Sequence, residues 1–145
     1  MRTSRYGLLI PTMLALTACA VPTREALDLP TAPTNTVPVG TDFTLAPGES
    51  ATAGNALTVG FIGITNDSRC PTNVQCVWAG SARAGLRVRD GAASRDLHLE
   101  TLATKDTATV GVYLIRLVEV NPAPVTTDPI PASAYRITLR VTRKP

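Results

Sequence analysis

From residue 42 onward the chain is written in short runs where apolar and polar residues alternate, separated by turn residues. Ala82, Ala84, Leu86 and Val88 alternate with Arg83, Arg87 and Arg89, which predicts a strand with its apolar face inward. Asp90-Gly91 then marks a hairpin, and the return strand offers Leu97 and Leu99 inward with His98 and Glu100 outward. Phe43-Thr44-Leu45 predicts a strand closed by Pro47-Gly48-Glu49-Ser50, a turn by composition. Leu57 to Ile64 places Leu57, Val59 and Phe61 on one face and Ile62 and Ile64 on the other. Val110 to Val120 is apolar on both faces and predicts a central strand ended by Asn121-Pro122-Ala123-Pro124. The last strand puts Tyr135, Ile137, Leu139 and Val141 on one face and Arg136, Thr138, Arg140 and Thr142 on the other.

Roughly six or seven such strands, with no amphipathic helix of ten residues or more, predict an all-β domain over 42–145. The expected architecture is a small antiparallel β-sandwich, with a partly open β-barrel as the alternative. Aromatic residues make up 4% of the chain, so Phe43, Phe61, Trp78, Tyr113 and Tyr135 are its large rings for a core. The same scarcity leaves little for a base-stacking platform.

The first residues have a different texture. Arg2 and Arg5 precede an apolar run, Gly7 to Leu16, that is shorter than the ~20 residues of a membrane-spanning helix. It reads as a secretory signal over 1–18. Leu16-Thr17-Ala18-Cys19 follows it and resembles the lipobox of bacterial lipoproteins, which implies cleavage before Cys19 and lipid on its sulfur. Ala20 in place of Asp, by the same resemblance, favours the outer membrane, on its periplasmic or surface face. From 19 to 41 the chain carries Pro22, Pro30, Pro33 and Pro38 without periodicity, and is expected to be a flexible tether.

Processing changes the charge balance. Without Arg2 and Arg5 the 14 basic residues fall to 12 against 11 acidic ones, a net of +1 rather than +3, so no electrostatic footprint for nucleic acid is expected. Both Met lie within the signal segment and the chain has one His, so neither a Met-rich copper site nor a multi-His zinc site is expected. No cofactor is expected.

With Cys19 assigned to lipid, Cys70 and Cys76 remain as an even pair in an oxidising compartment, six residues apart, and a structural disulfide is expected. A redox-active pair is the alternative, although five residues intervene and no helix follows. Within Asp67 to Gly80, Asp67 or Ser68 can close a side-chain turn, Arg69 can pair with Asp67 or bond loop carbonyls, and Trp78 can cover the disulfide. Gly80 allows a bend into the Ala82 strand.

The segment Asp67-Ser68-Arg69-Cys70-Pro71, four residues, then Cys76-Val77-Trp78-Ala79-Gly80 resembles a motif of small bacterial secreted proteins and lipoproteins. That family has no assigned activity, so the resemblance implies an envelope protein and no catalytic residue. The loop is read as a structural staple first and a recognition surface second, with Asp67, Arg69 and Trp78 as its candidate binding residues. The chain is expected to be a non-catalytic envelope lipoprotein, held to the membrane by its lipid, whose β-domain is structural or binds a protein, glycan or lipid headgroup. The alternative is a small enzyme or an enzyme inhibitor acting through the Cys70–Cys76 loop. A polar pocket gathering His98 and acids would favour an enzyme, and a protruding loop above a filled core an inhibitor or adaptor. Ser68 and His98 lack the context of a catalytic triad. Arg83, Arg87, Arg89, Arg136 and Arg140 would form a basic face only if their strands were neighbours; solvated surface charge is the favoured reading.

Overall fold

A computed structural model describes residues 35–54 and 56–145. The signal segment, Cys19 and the tether up to residue 34 lie outside the described residues. Among the described residues, nine strands fold into two sheets: β1 (Asn35–Val37), β2 (Asp42–Leu45), β3 (Ser50–Ala53), β4 (Leu57–Asp67), β5 (Ala82–Asp90), β6 (Ala93–Glu100), β7 (Thr107–Val110), β8 (Tyr113–Asn121) and β9 (Arg136–Arg143). One sheet has the order β1-β3-β4-β5-β6 and the other β2-β9-β8-β7. The sheets stay separate rather than closing into one ring, which makes this a sandwich and not a barrel. Every strand pair is antiparallel except β1 with β3.

Alternation explains the layering. Leu57, Val59 and Phe61 of β4, Leu86 and Val88 of β5, and Leu99 of β6 are buried against Ile115 and Leu117 of β8 and Ile137, Leu139 and Val141 of β9. Each large apolar side chain so buried contributes about 1.5 to 3 kcal/mol relative to exposure. Tyr113 and Tyr135 complete the core, but Trp78 does not join it: its ring is 82% exposed.

Three strands depart from the pattern read along the sequence. Val110 to Val120 is not one strand, because Gly111 adopts φ +55° and turns the chain between β7 and β8. Ser50–Ala53 forms β3, buried through Ala51 and Ala53, whose small side chains give little hydrophobic signal. Asn35–Val37 pairs with β3, so the domain begins at or before residue 35 and takes in what reads as the end of the tether.

The outer faces are ordered by register. Arg83 stands opposite Glu100 and Arg87 opposite Asp96 across β5 and β6, with N···O distances of 2.7 and 2.8 Å. Arg140 of β9 faces Asp42 of β2 at 2.6 Å. Hydrogen bonds from these arginines hold the carboxyls of Glu100, Asp96 and Asp42 below the usual range. The β5 arginines and the β9 arginines belong to different sheets, so no common basic face forms; Arg136 bonds the Ser133 and Tyr135 carbonyls instead.

Candidate functional site

β4 and β5 are joined by residues 68–81, and the ladder continues a short way into this connection. The Ser68 N–H donates to the Ser81 carbonyl and the Cys70 N–H to the Ala79 carbonyl, each at 2.9 Å. Gly80, at φ +67°, lies directly against the Ser68 carbonyl, so this bend has no room for a side chain. Ser68 Oγ donates to the Ser81 carbonyl and accepts from the Ser81 N–H, both at 3.1 Å. The hydroxyl is thus committed to the backbone, and His98 stands opposite Gly85 on the outer face of β6; no triad is assembled.

Asp67 and Arg69 form the base. Arg69 donates from Nε and Nη2 to the two Asp67 carboxylate oxygens at 2.9 and 2.6 Å, and its N–H closes the side-chain turn at 3.1 Å. The remaining guanidinium donors reach the carbonyls of Val120 at 2.7 Å and Pro122 at 2.9 Å, on the far sheet. Tyr135, just before β9, donates its hydroxyl to Asp67 at 3.0 Å. Burial raises the Asp67 pKa, but the hydrogen bonds from Arg69 and Tyr135 together outweigh it and the carboxyl ends below its ordinary value. For Tyr135, burial and the adjacent carboxylate both push the phenol upward. The Asp67 and Arg69 side chains are only 13% and 15% exposed and tie β4 to the end of β8 and to Tyr135 beneath the loop.

Above the base, Cys70 and Cys76 are joined as a disulfide with Cα atoms 5.9 Å apart. The Thr72 and Asn73 N–H groups donate to the carbonyls of Pro124 and Val125, pinning the ring to the β8–β9 connection. The segment after Cys76 is outside both sheets. There Val77 is 90% exposed and Trp78 82%, with Val74 and Val125 also in solvent. Trp78 was expected to cover the disulfide and to supply a large ring to the core; it is instead exposed, in a bend after Cys76.

A cavity of about 440 Å³ lies between the loop base and the β8–β9 connection, bordered by Asp67, Tyr135, Asp128 and Ile130. Its Asp67 carboxylate is occupied by Arg69 and Tyr135, and Asp128 accepts from the Thr126 hydroxyl at 3.1 Å. A second, of about 420 Å³, includes Asp106, Arg116 and Arg140, each in an ion pair. His98 lines neither. Among the described residues no three His, Cys, Asp or Glu side chains converge as metal ligands do.

Three of the residues singled out by sequence therefore divide: Asp67 and Arg69 meet each other in the base, and Trp78 stands apart in the exposed Val77–Trp78 stretch, here termed the tip. Val77, Val74 and Val125 were not foreseen as part of an exposed cluster. The signal for the first two was present, since no charged residue occurs from Cys70 to Ala82. Comparison of the chain with protein-family models, curated proteins and solved structures found no match.

Proposed function

We propose that this chain is a lipid-anchored protein of the bacterial envelope, on the outer membrane, whose β-sandwich is a non-catalytic binding module with the cross-linked loop as its contact surface. One observation carries the reading: Trp78 and Val77 are exposed at the tip of a loop whose base is fully hydrogen-bonded. Exposed Trp on a pre-ordered segment is the residue type that dominates contact energies, because little conformational freedom is left to lose on binding. A protruding loop above a filled core is also the form that an enzyme inhibitor would take, and that is the alternative. The anchor rests on Arg2, Arg5, the apolar run and Cys19.

Two measurements test the proposal. Acyl-chain labelling of the protein in its own cells should be abolished by Cys19→Ser. A photoreactive amino acid placed at position 78 should form adducts in intact cells, whereas the same group at Thr138, on the outer face of the second sheet, should not. Equal adducts at both positions would remove the loop as the contact surface, and a soluble enzyme captured at position 78 would favour the inhibitor.

A further inference from the structure

The length of chain between Cys19 and the first strand sets what the loop can reach. β1 runs parallel to β3, and β3 antiparallel to β4, whose C-terminal end carries the loop. At Asn35 the chain is therefore travelling away from the loop, and Asn35 itself lies near the end of β4 opposite to it. Asn35 is level with Ala51, which is level with Val59, and β4 continues from there to Asp67. At about 3.3 Å per residue the base of the loop stands roughly 25 Å beyond the point of entry. The chain between Cys19 and Asn35 spans at most about 58 Å when fully drawn out. A domain tethered at Cys19 can thus set its loop on the bilayer that holds the lipid.

The chemistry of the tip suits that surface. Val74, Val77, Trp78 and Val125 are exposed, and the loop from Cys70 to Ala82 has no charge to desolvate. At the loop base, Asp67 and Arg69 are consumed by each other and by Tyr135, Val120 and Pro122, while Asp128, three residues past Val125, bonds Thr126. A protein interface sets orientation and specificity through a polar rim around its apolar centre. The loop from Cys70 to Ala82 itself offers no charged group for such a rim, and its exposed Val and Trp side chains match the boundary between headgroups and acyl chains, where Trp is enriched. The tether makes the contact intramolecular, so a weak one suffices.

We infer that the Val77–Trp78 tip inserts into the interface of the anchoring membrane as a second, reversible point of attachment that fixes the domain's orientation. The inference rests on the lipid anchor proposed at Cys19. Trp78 is the one tryptophan of the sequence, so its emission reports on the tip alone. The full-length lipidated protein is reconstituted in vesicles of phosphatidylethanolamine and phosphatidylglycerol, with and without lipid brominated near the top of the acyl chain. Insertion to ~5–10 Å should quench the emission roughly two-fold and shift it to the blue. A doubly substituted protein, Trp78→Phe with Thr44→Trp, should float with the vesicles and show no quenching. Flotation of the parent with unquenched emission would overturn the inference and leave the anchor standing. Failure of the parent to float, or equal flotation of Cys19→Ser, would remove the anchor and the inference with it. Emission indifferent to brominated lipid but shifted by envelope proteins would place the tip in a protein pocket and overturn the inference as well.

Discussion

The base and the tip of the 68–81 connection lie a few residues apart and obey opposite rules. At the base, the Asp67 carboxylate accepts from Arg69 and Tyr135, and Arg69 extends to two carbonyls on the other sheet. At the tip, Val77 and Trp78 project into solvent with almost all their surface exposed. The outer face of β5 and β6 resembles the base in this respect, because Arg83 and Arg87 meet acids in register. Both regions pair arginines with acids, while Val77 and Trp78 are the most exposed of the large apolar side chains.

The largest effect should come from the bend that joins the two regions. Gly80→Ala demands a left-handed backbone from a residue with a side chain and drives its Cβ into the Ser68 carbonyl. Strain and overpacking together predict a loss of about 3 kcal/mol or more, read by thermal unfolding. A variant as stable as the parent would show that the base does not need this geometry.

Next comes the base itself. Asp67→Ala strands the Arg69 guanidinium in a nearly closed site and should cost about 2 to 3 kcal/mol, while Tyr135→Phe, losing one hydrogen bond, should cost about 1 kcal/mol. The pH dependence carries a sign. Asp67 titrates below its ordinary 3.8 in the folded protein, so its contribution is complete above 3.8 and is lost as pH falls through the lower folded value. Acid unfolding of Asp67→Asn should be less steep than that of the parent below about pH 4. Parallel acid curves would mean that the carboxylate does not hold the base.

Those residues also mark how far sequence reasoning reaches. The β5 strand was legible because four small or branched apolar residues alternate with arginines, and the hairpin to β6 because Asp90-Gly91 follows. β7 and β8 merged into one expected strand since Gly111 sits inside an unbroken apolar run, where only its positive φ marks a turn. The Asp67–Arg69 pair could be read locally, but its partners Val120, Pro122 and Tyr135 are 51 to 68 residues away, and nothing in the spacing foretells them. Trp78 was misjudged by a general rule, that a large ring in a ring-poor domain is buried. Trp78, two residues past the disulfide, stands outside both sheets and departs from the rule.

The disulfide joins base to tip, and its removal should be of intermediate size. Closing a loop this short contributes about 2 kcal/mol on the chain-entropy model, so the double variant Cys70→Ser with Cys76→Ser should lose about that much and still fold. The remaining pins, from Thr72 and Asn73 to Pro124 and Val125, keep the connection near β8 and β9. Loss of more than about 4 kcal/mol would mean that the bond also supports the Asp67–Arg69 base.

The smallest change in stability should follow the substitution that matters most for contact. Trp78→Ala removes a ring that is 82% exposed and makes no hydrogen bond among the described residues, so the unfolding midpoint should move by no more than about 0.5 kcal/mol in free energy. A buried ring would instead cost roughly 3 to 5 kcal/mol, several-fold more than the disulfide, and the ratio of the two losses separates the cases without any knowledge of the partner. Trp78→Ala should therefore leave the parent's acid and thermal unfolding curves in place while abolishing the effects read at the tip. A large thermal loss in Trp78→Ala, with Gly80→Ala tolerated, would invert the comparison: the tip would then be part of the fold and the base a spectator.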